Sequence, residues 1–322
     1  MRYEHTYTYE QRKRAGQLIE AGDVFYGDKG CGYYRGKPYP FVLQDGMNNI
    51  YAPIKNEIIE YFSGNGIKWW GGHRPTNHTL SSQIACLNHL FPIRQDREAV
   101  LTIAQKVCTE VTDILVIASD DVNAGFIQFE AVSEMDHLNE TRDKSYAPTR
   151  GSHCTSIDAL ILAKCFDGKS KLLVIEWKYT EAYGNEDKSV GEKGDERKRR
   201  YTELINRSEQ LCAATHEIYY IEPFYQLMRQ TLWAEQMIRE KDNEIIQADE
   251  FLHINVIPDE NHNLLSKEYR YSNKGMEETW RSCLTDVSKY RIISPKDFLM
   301  PIDNERYRDL MLYLKTRYWE KD

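Results

Sequence analysis

The chain has 322 residues, a formal net charge of −8 and an ordinary apolar share of 41%. That length suits one large domain or two small ones, and the acidic balance argues against broad nonspecific attraction to phosphate, though not against a local basic groove. Seven cysteines, odd in number and without a C-x-x-C spacing, argue against a disulfide scaffold or zinc ribbon and for reduced thiols in a cytoplasm.

The opening stretch, MRYEHTYTYEQRKRAGQ, has no apolar segment, so no signal peptide is expected. No apolar run approaches ~20 residues, so no membrane span is expected either. YEQRKRAGQLIEAG predicts a short helix. IKNEIIEYFSGNG predicts another, with Ile54, Ile58, Ile59 and Phe62 on one side. IKWWGGHRP then breaks into a loop. TLSSQIACLNHLFPI reads as a helix with Ser or Thr caps, and DREAVLTIAQKVC as an amphipathic helix with acids in its first turn. DILVIAS and GFIQFEAV predict two strands around the polar turn DDVNAG, and residues 133–153 read as a polar loop.

The most regular part follows. TSIDALILAKC and KLLVIEWKY predict two strands joined through FDGKS, a turn with an Asp-Gly signal. Both carry apolar residues on both faces, as strands covered on each side do. Residues 180–200 are charged and Gly-containing and predict a loop. RRYTELINRSEQLC predicts a helix, and EPFYQLMRQTLWAEQMIREKDNEIIQ a long one with Pro223 near its start. FLHINVIP predicts a strand, and the tail mixes helices with SPKDFLMPI. No repeat or low-complexity tract is present.

The chemistry concentrates on the hairpin. Residues i and i+2 of a strand share a face, so Glu176 and Lys178 point one way while Ile175, Trp177 and Tyr179 point the other. In an antiparallel hairpin, early on one strand lies opposite late on the next. Asp158 can therefore join Glu176 and Lys178 at one end. Two carboxylates and an ammonium at one point suit a hard divalent cation, Mg2+ or Mn2+. Such an ion lowers the pKa of a bound water. Lys178 could orient or deprotonate that water, or stabilise developing charge. A surface Glu–Lys pair explains the two-residue spacing as well, but an isolated acid inside SIDALILA is costly unless paired.

Asp158, followed after a hairpin by Glu176-Trp177-Lys178, resembles the signature of the PD-(D/E)XK nuclease superfamily. SSQIACLNHLFPI, FEAV, TRGSHCTSIDALI, VIEWKYTE and EPFYQLMRQTLWAEQM together resemble a bacterial group of restriction-endonuclease-like proteins within it, over residues 78–258. The usual Pro before the acid is absent, since Ile157 stands there. The resemblance implies an α/β core, a mixed sheet flanked by helices, Mg2+ dependence and phosphodiester hydrolysis, with DNA as the expected substrate. It implies Asp158 and Glu176 as metal ligands and Lys178 as the third catalytic residue. The expected organisation is an N-terminal extension over 1–77, a nuclease-like core over 78–260 and a C-terminal extension over 261–322 packed on it.

Many such nucleases carry a further acid on a helix before the first strand. SSQIACLNHLF has none. Gln83 could fill that place through its carbonyl oxygen, and Glu130 could do so from a strand. A helix-surface amide and an exposed strand acid explain these two as well. Gln226, Arg229 and Gln230 share a helix face that could approach the metal site, or could simply be solvated. Arg197, Lys198, Arg199 and Arg200 form a basic run that could touch phosphate or be a plain solvated charge run. A homodimer would supply two active sites for cutting both strands, by analogy of fold alone.

Other chemistries have less support. His73 and His78, with Asn77, lack helical ligand spacing and nearby cysteines for zinc. There is no G-x-S-x-G, P-loop or G-x-G-x-x-G. The competing class is a noncatalytic nucleic-acid-binding or defence-associated module that keeps the nuclease fold.

Overall fold

A computed structural model describes residues 6–70, 72–118, 122–140, 150–151, 154–184 and 186–319. Parts of the expected turn at 120–125 and of the polar stretch 133–153 lie outside these residues.

The N-terminal region holds helix α1 (Tyr7–Ala21), the small hairpin β1 (Gly32–Tyr34) and β2 (Lys37–Tyr39), and helix α2 (Lys55–Gly64). Thr6 caps α1 by accepting from the Tyr9 N–H, and Gly22 ends it in a left-handed conformation, φ 89°. Helices α3 (Ser82–Leu90) and α4 (Arg97–Val107) follow, capped by Ser81 and Asp96. The strands then run β3 (Val111–Leu115), β4 (Gln128–Ala131), β5 (Ile157–Cys165) and β6 (Ser170–Trp177). After them come α5 (Gly191–Arg207), α6 (Phe224–Arg239), β7 (Glu250–Val256), α7 (His262–Leu265), α8 (Met276–Arg281), β8 (Tyr290–Ile293), α9 (Pro295–Leu299) and α10 (Arg308–Leu314).

A six-stranded mixed sheet organises the chain, in the order β3-β5-β6-β7-β8, with β4 also paired to β5. The fold class is thus the expected one: a central mixed sheet flanked by helices. Strand β6 is central, antiparallel to β5 and parallel to β7. On one of its faces Leu173, Ile175 and Trp177 pack with α3, α4 and α10. On the other, Leu172 and Val174 pack with α5, α6 and α8. Residues 171–177 are buried throughout, which is why the strand reads as a near-continuous apolar run.

Three details differ from the sequence reading. Strands β3 and β4 do not form a ladder with each other. Both lie along the same edge of β5, β3 against Leu162–Cys165 and β4 against Ile157–Leu160. Strand β5 is long enough to template both. The helix expected from Arg199 starts earlier, at Gly191, so the whole basic run Arg197–Arg200 is helical, in the middle of α5. Pairs such as Arg200–Glu196 at 3.0 Å and Lys198–Asp195 at 4.0 Å support that helix locally, and Tyr201 and Ile205 bury its inner face. Finally, β8 adds a parallel strand beside β7. Its four residues, interrupted by Arg291, are too short to show a period.

Leu173 is fully buried at the centre of β6. Leu173→Ala should cost about 2–5 kcal/mol, read from the urea midpoint at unchanged slope. A near-zero loss would mean that this face of the sheet is not the packed core described.

Candidate active site

The last ladder pair of the hairpin is Ala159↔Ile175. One step further, Asp158 faces Glu176, both on the face of Leu160, Leu172 and Val174. The Asp158 Oδ2 accepts from the Trp177 N–H at 2.7 Å, so the carboxylate closes the open end of the hairpin. Strand β6 ends at Trp177, yet the Lys178 N–H still donates to the Val256 carbonyl of β7 at 2.9 Å. That bond keeps Lys178 in register with Glu176. Their side chains form a buried ion pair.

Helix α6 covers this pair with amides. Gln226 Oε1 accepts from Lys178 Nζ at 2.6 Å, and Gln230 Nε2 donates to Glu176 Oε2. Gln230 is held in turn by the buried His253 of β7, whose Nε2 lies 3.0 Å from its Oε1. An amide oxygen only accepts, so the imidazole proton sits on Nε2. Burial pushes the His253 pKa down to about 3, so the ring is neutral and its role is to orient.

A third carboxylate arrives on β4. There Phe129 pairs with Ala159 and Ala131 with Ile157, so Glu130 stands opposite Asp158, at φ 49°. A left-handed conformation at a non-glycine residue costs about 1–3 kcal/mol and needs surrounding support. Here the support is visible. Gln83 Nε2 donates to Glu130 Oε1 at 2.7 Å and Ser156 Oγ to Oε2 at 2.8 Å. Gln83 is fixed by the Trp70 N–H, which donates to its Oε1 at 2.9 Å.

These groups line one cleft of roughly 370 Å3, with Glu130, Asp158, Glu176 and Lys178 on its floor and Trp70, His78 and Glu181 among its walls. Burial, then the charges of Glu176 and Glu130, push the Asp158 pKa well above the usual carboxylate range, against Lys178 and the Trp177 N–H. Burial also raises that of Glu130, against the hydrogen bonds from Gln83 and Ser156. For Lys178, burial pulls the pKa down, but Glu176, Tyr183, Glu181 and Asp158 outweigh it and the net shift is upward. Three carboxyl groups therefore face one ammonium. The excess negative charge calls for a proton or a cation. The donors are all oxygen, which suits a hard divalent ion. Among the described residues no three His, Cys, Asp or Glu side chains are already arranged to hold a metal. Asp158 and Glu176 would supply two ligands, leaving the others to water and phosphate oxygens.

The other sequence candidates are scattered. Gln83 reaches the site, where its carbonyl oxygen accepts from the Trp70 N–H and its amide donates to Glu130. Gln226 and Gln230 reach Lys178 and Glu176. Arg229 turns away to pair with Glu140 at 3.0 Å, where Tyr201 also donates. On α5, Arg197 donates to the Lys188 carbonyl at 2.9 Å. Arg199 and Arg200 line a separate groove of roughly 430 Å3 with Glu196, Glu203 and Arg207. His78 lies between Tyr34, tilted to it, and Phe41, edge-on to it, and burial lowers its pKa to about 4. Sequence reasoning missed His253 and Ser156. A signal existed for His253: in FLHINVIP a polar residue interrupts an apolar strand, as Glu176 does.

A mixed sheet sandwiched by helices, with an acid-lined cleft at a hairpin end, defines a nuclease-like α/β protein. The chain belongs to the family described as restriction endonuclease associating with ARP, whose model matches residues 14–319. It is thus a restriction-endonuclease-like protein. No curated protein and no solved structure matches it. Among the described residues no helix is long and apolar enough to cross a membrane.

The charge crowding has a pH signature. The folded-state pKa of Asp158 lies above its unfolded value of about 4. Below about pH 4 both states are protonated and the group costs nothing. As pH rises through the folded value, that stability is lost. In EDTA, Asp158→Asn should therefore melt higher than wild type at neutral pH, and the gain should shrink as the pH is lowered toward 4. A neutral-pH melting point no higher than wild type would contradict the crowding.

Proposed function

We propose that the protein is a metal-dependent phosphodiester hydrolase of the PD-(D/E)XK type, with DNA as its expected substrate. The observation that carries this reading is the meeting of Asp158, Glu176 and Lys178 at the end of one hairpin, with Glu130 beside them, in a cleft open to solvent. Asp158 and Glu176 would hold Mg2+ or Mn2+. Such an ion, when bound, makes a water more acidic and offsets charge on the phosphate.

The chain's own residues set up the rest. Lys178, kept charged by its acidic neighbours, serves as a donor that orients the attacking water and stabilises negative charge on the phosphate. Gln226 fixes its Nζ from above. Gln230, itself held by His253, presents Glu176 in one orientation. Glu130, clamped by Gln83 and Ser156, adds negative charge that a bound cation would offset. The basic run on α5 lines another groove, so phosphate contact there would be remote from the cut.

The test is cleavage of duplex DNA, single-stranded DNA and RNA with Mg2+, Mn2+ or EDTA. Cutting should require the metal, and Lys178→Ala and Glu176→Gln should each slow it about 10²- to 10⁴-fold. Lys178→Ala cutting as fast as wild type sinks the mechanism. Binding of nucleic acid without cutting under any metal would favour the noncatalytic module instead. Mg2+ should also raise the melting temperature of the wild type but not of Asp158→Asn.

A further inference from the structure

One wall of the cleft carries a group that the proposed hydrolysis does not use. Trp69 and Trp70 are neighbours with opposite fates. Trp69 is buried, stacked on Phe62 with ring centroids 3.8 Å apart. Trp70 is 52% exposed and lines the cleft that holds Asp158, Glu176 and Lys178. Its backbone is pinned on both sides. The Gly72 N–H closes a tight turn onto the Trp69 carbonyl at 3.2 Å, and the Trp70 N–H is held by Gln83. Behind it, the Lys68 N–H donates to the Arg150 carbonyl at 3.0 Å. The indole is thus an apolar plate on a hydrogen-bonded backbone at the edge of the acidic floor, near the exposed cations Lys68 and Arg74 in sequence.

A half-exposed indole inside a cleft offers a flat apolar face to whatever enters it. Beside a phosphodiester-cleaving centre, the matching flat apolar surface is a nucleobase. A base inside a duplex already has both faces stacked, so only an unpaired base can lie on the indole. Stacking also answers a problem of this chain: a net charge of −8 and an acidic cleft floor supply little attraction for a phosphate backbone.

Resting on the nuclease reading above, we propose that Trp70 is a stacking platform for an unpaired nucleobase next to the scissile phosphate. The preferred substrate is then a single strand, or a duplex with a flap, bulge or extruded base at the cut.

The experiment is anisotropy binding, in EDTA so that nothing is cut, of fluorescein-labelled mixed-sequence oligodeoxynucleotides, single-stranded and as blunt duplex. Trp70→Ala should weaken single-strand binding about 5- to 150-fold, the equivalent of about 1–3 kcal/mol for one stacked base. It should change duplex binding little. Trp70→Phe should restore most of the loss, because a phenyl ring still stacks. Both variants keep the backbone N–H that holds Gln83, so loss of the Glu130 clamp cannot imitate the effect. Equal single-strand binding by wild type and Trp70→Ala overturns the proposal, and so does an equal loss on duplex and single strand. A partner other than nucleic acid on this indole would give the first of these results. Failure of the hydrolytic reading shows separately, as Lys178→Ala cutting like wild type or as no cutting with any metal.

Discussion

Two like charges face each other at the open end of a hairpin, and much of the site's construction follows from that. Asp158 and Glu176 stand opposite one step beyond the last β5–β6 ladder pair, with Glu130 opposite Asp158 on β4. Burial raises the pKa values of Asp158 and Glu130 and destabilises their ionised forms. The fold meets this cost with hydrogen bonds in fixed directions. Trp177 donates to Asp158, Lys178 and Gln230 to Glu176, and Gln83 and Ser156 to Glu130. One ammonium cannot neutralise three carboxyls, so the cleft keeps a standing demand for positive charge.

Glutamines do most of the positioning. Gln83, Gln226 and Gln230 each touch one charged residue, and two are themselves tied down, by the Trp70 N–H and by His253. Amides suit this place because they direct a charge without adding another. An Asp or Glu in place of Gln230 would deepen the repulsion around Glu176. A Lys or Arg there would compete with Lys178 for its partner. The shell also links distant segments. α3, α6, β7 and the 67–75 loop each hold one end of a hydrogen bond in it, so the site depends on the packing of both faces of the sheet.

Some of this was legible in the residues alone. The β5–β6 hairpin could be read because two apolar runs flank an Asp-Gly turn, and the side-chain period of two then places Glu176 and Lys178 on one face. The second half of α5 was read as a helix from Arg199 onward, but its first turns were read as loop, since they are a run of charges whose stabilising i, i+4 pairs look the same as loop polarity. Strand β8 was too short to have a period. Arg229 has the helical spacing that carries Gln226 and Gln230 to the site, yet Glu140 draws it elsewhere. Spacing determines the face of a helix, not the partner each side chain finds.

By itself the sequence determined the strand alternation that sets Glu176 and Lys178 apart from Ile175 and Trp177, and the turn that brings Asp158 toward them. These are local consequences of backbone geometry. Only the tertiary structure decided that Glu130 turns inward, that Gln83 serves as a clamp, that His253 stands behind Gln230 and that Trp70 faces the cleft. Each of these depends on a strand pairing, a loop approach or a helix packing between residues far apart in the chain. No periodicity encodes such meetings, because they arise from how surfaces fit once the sheet has formed.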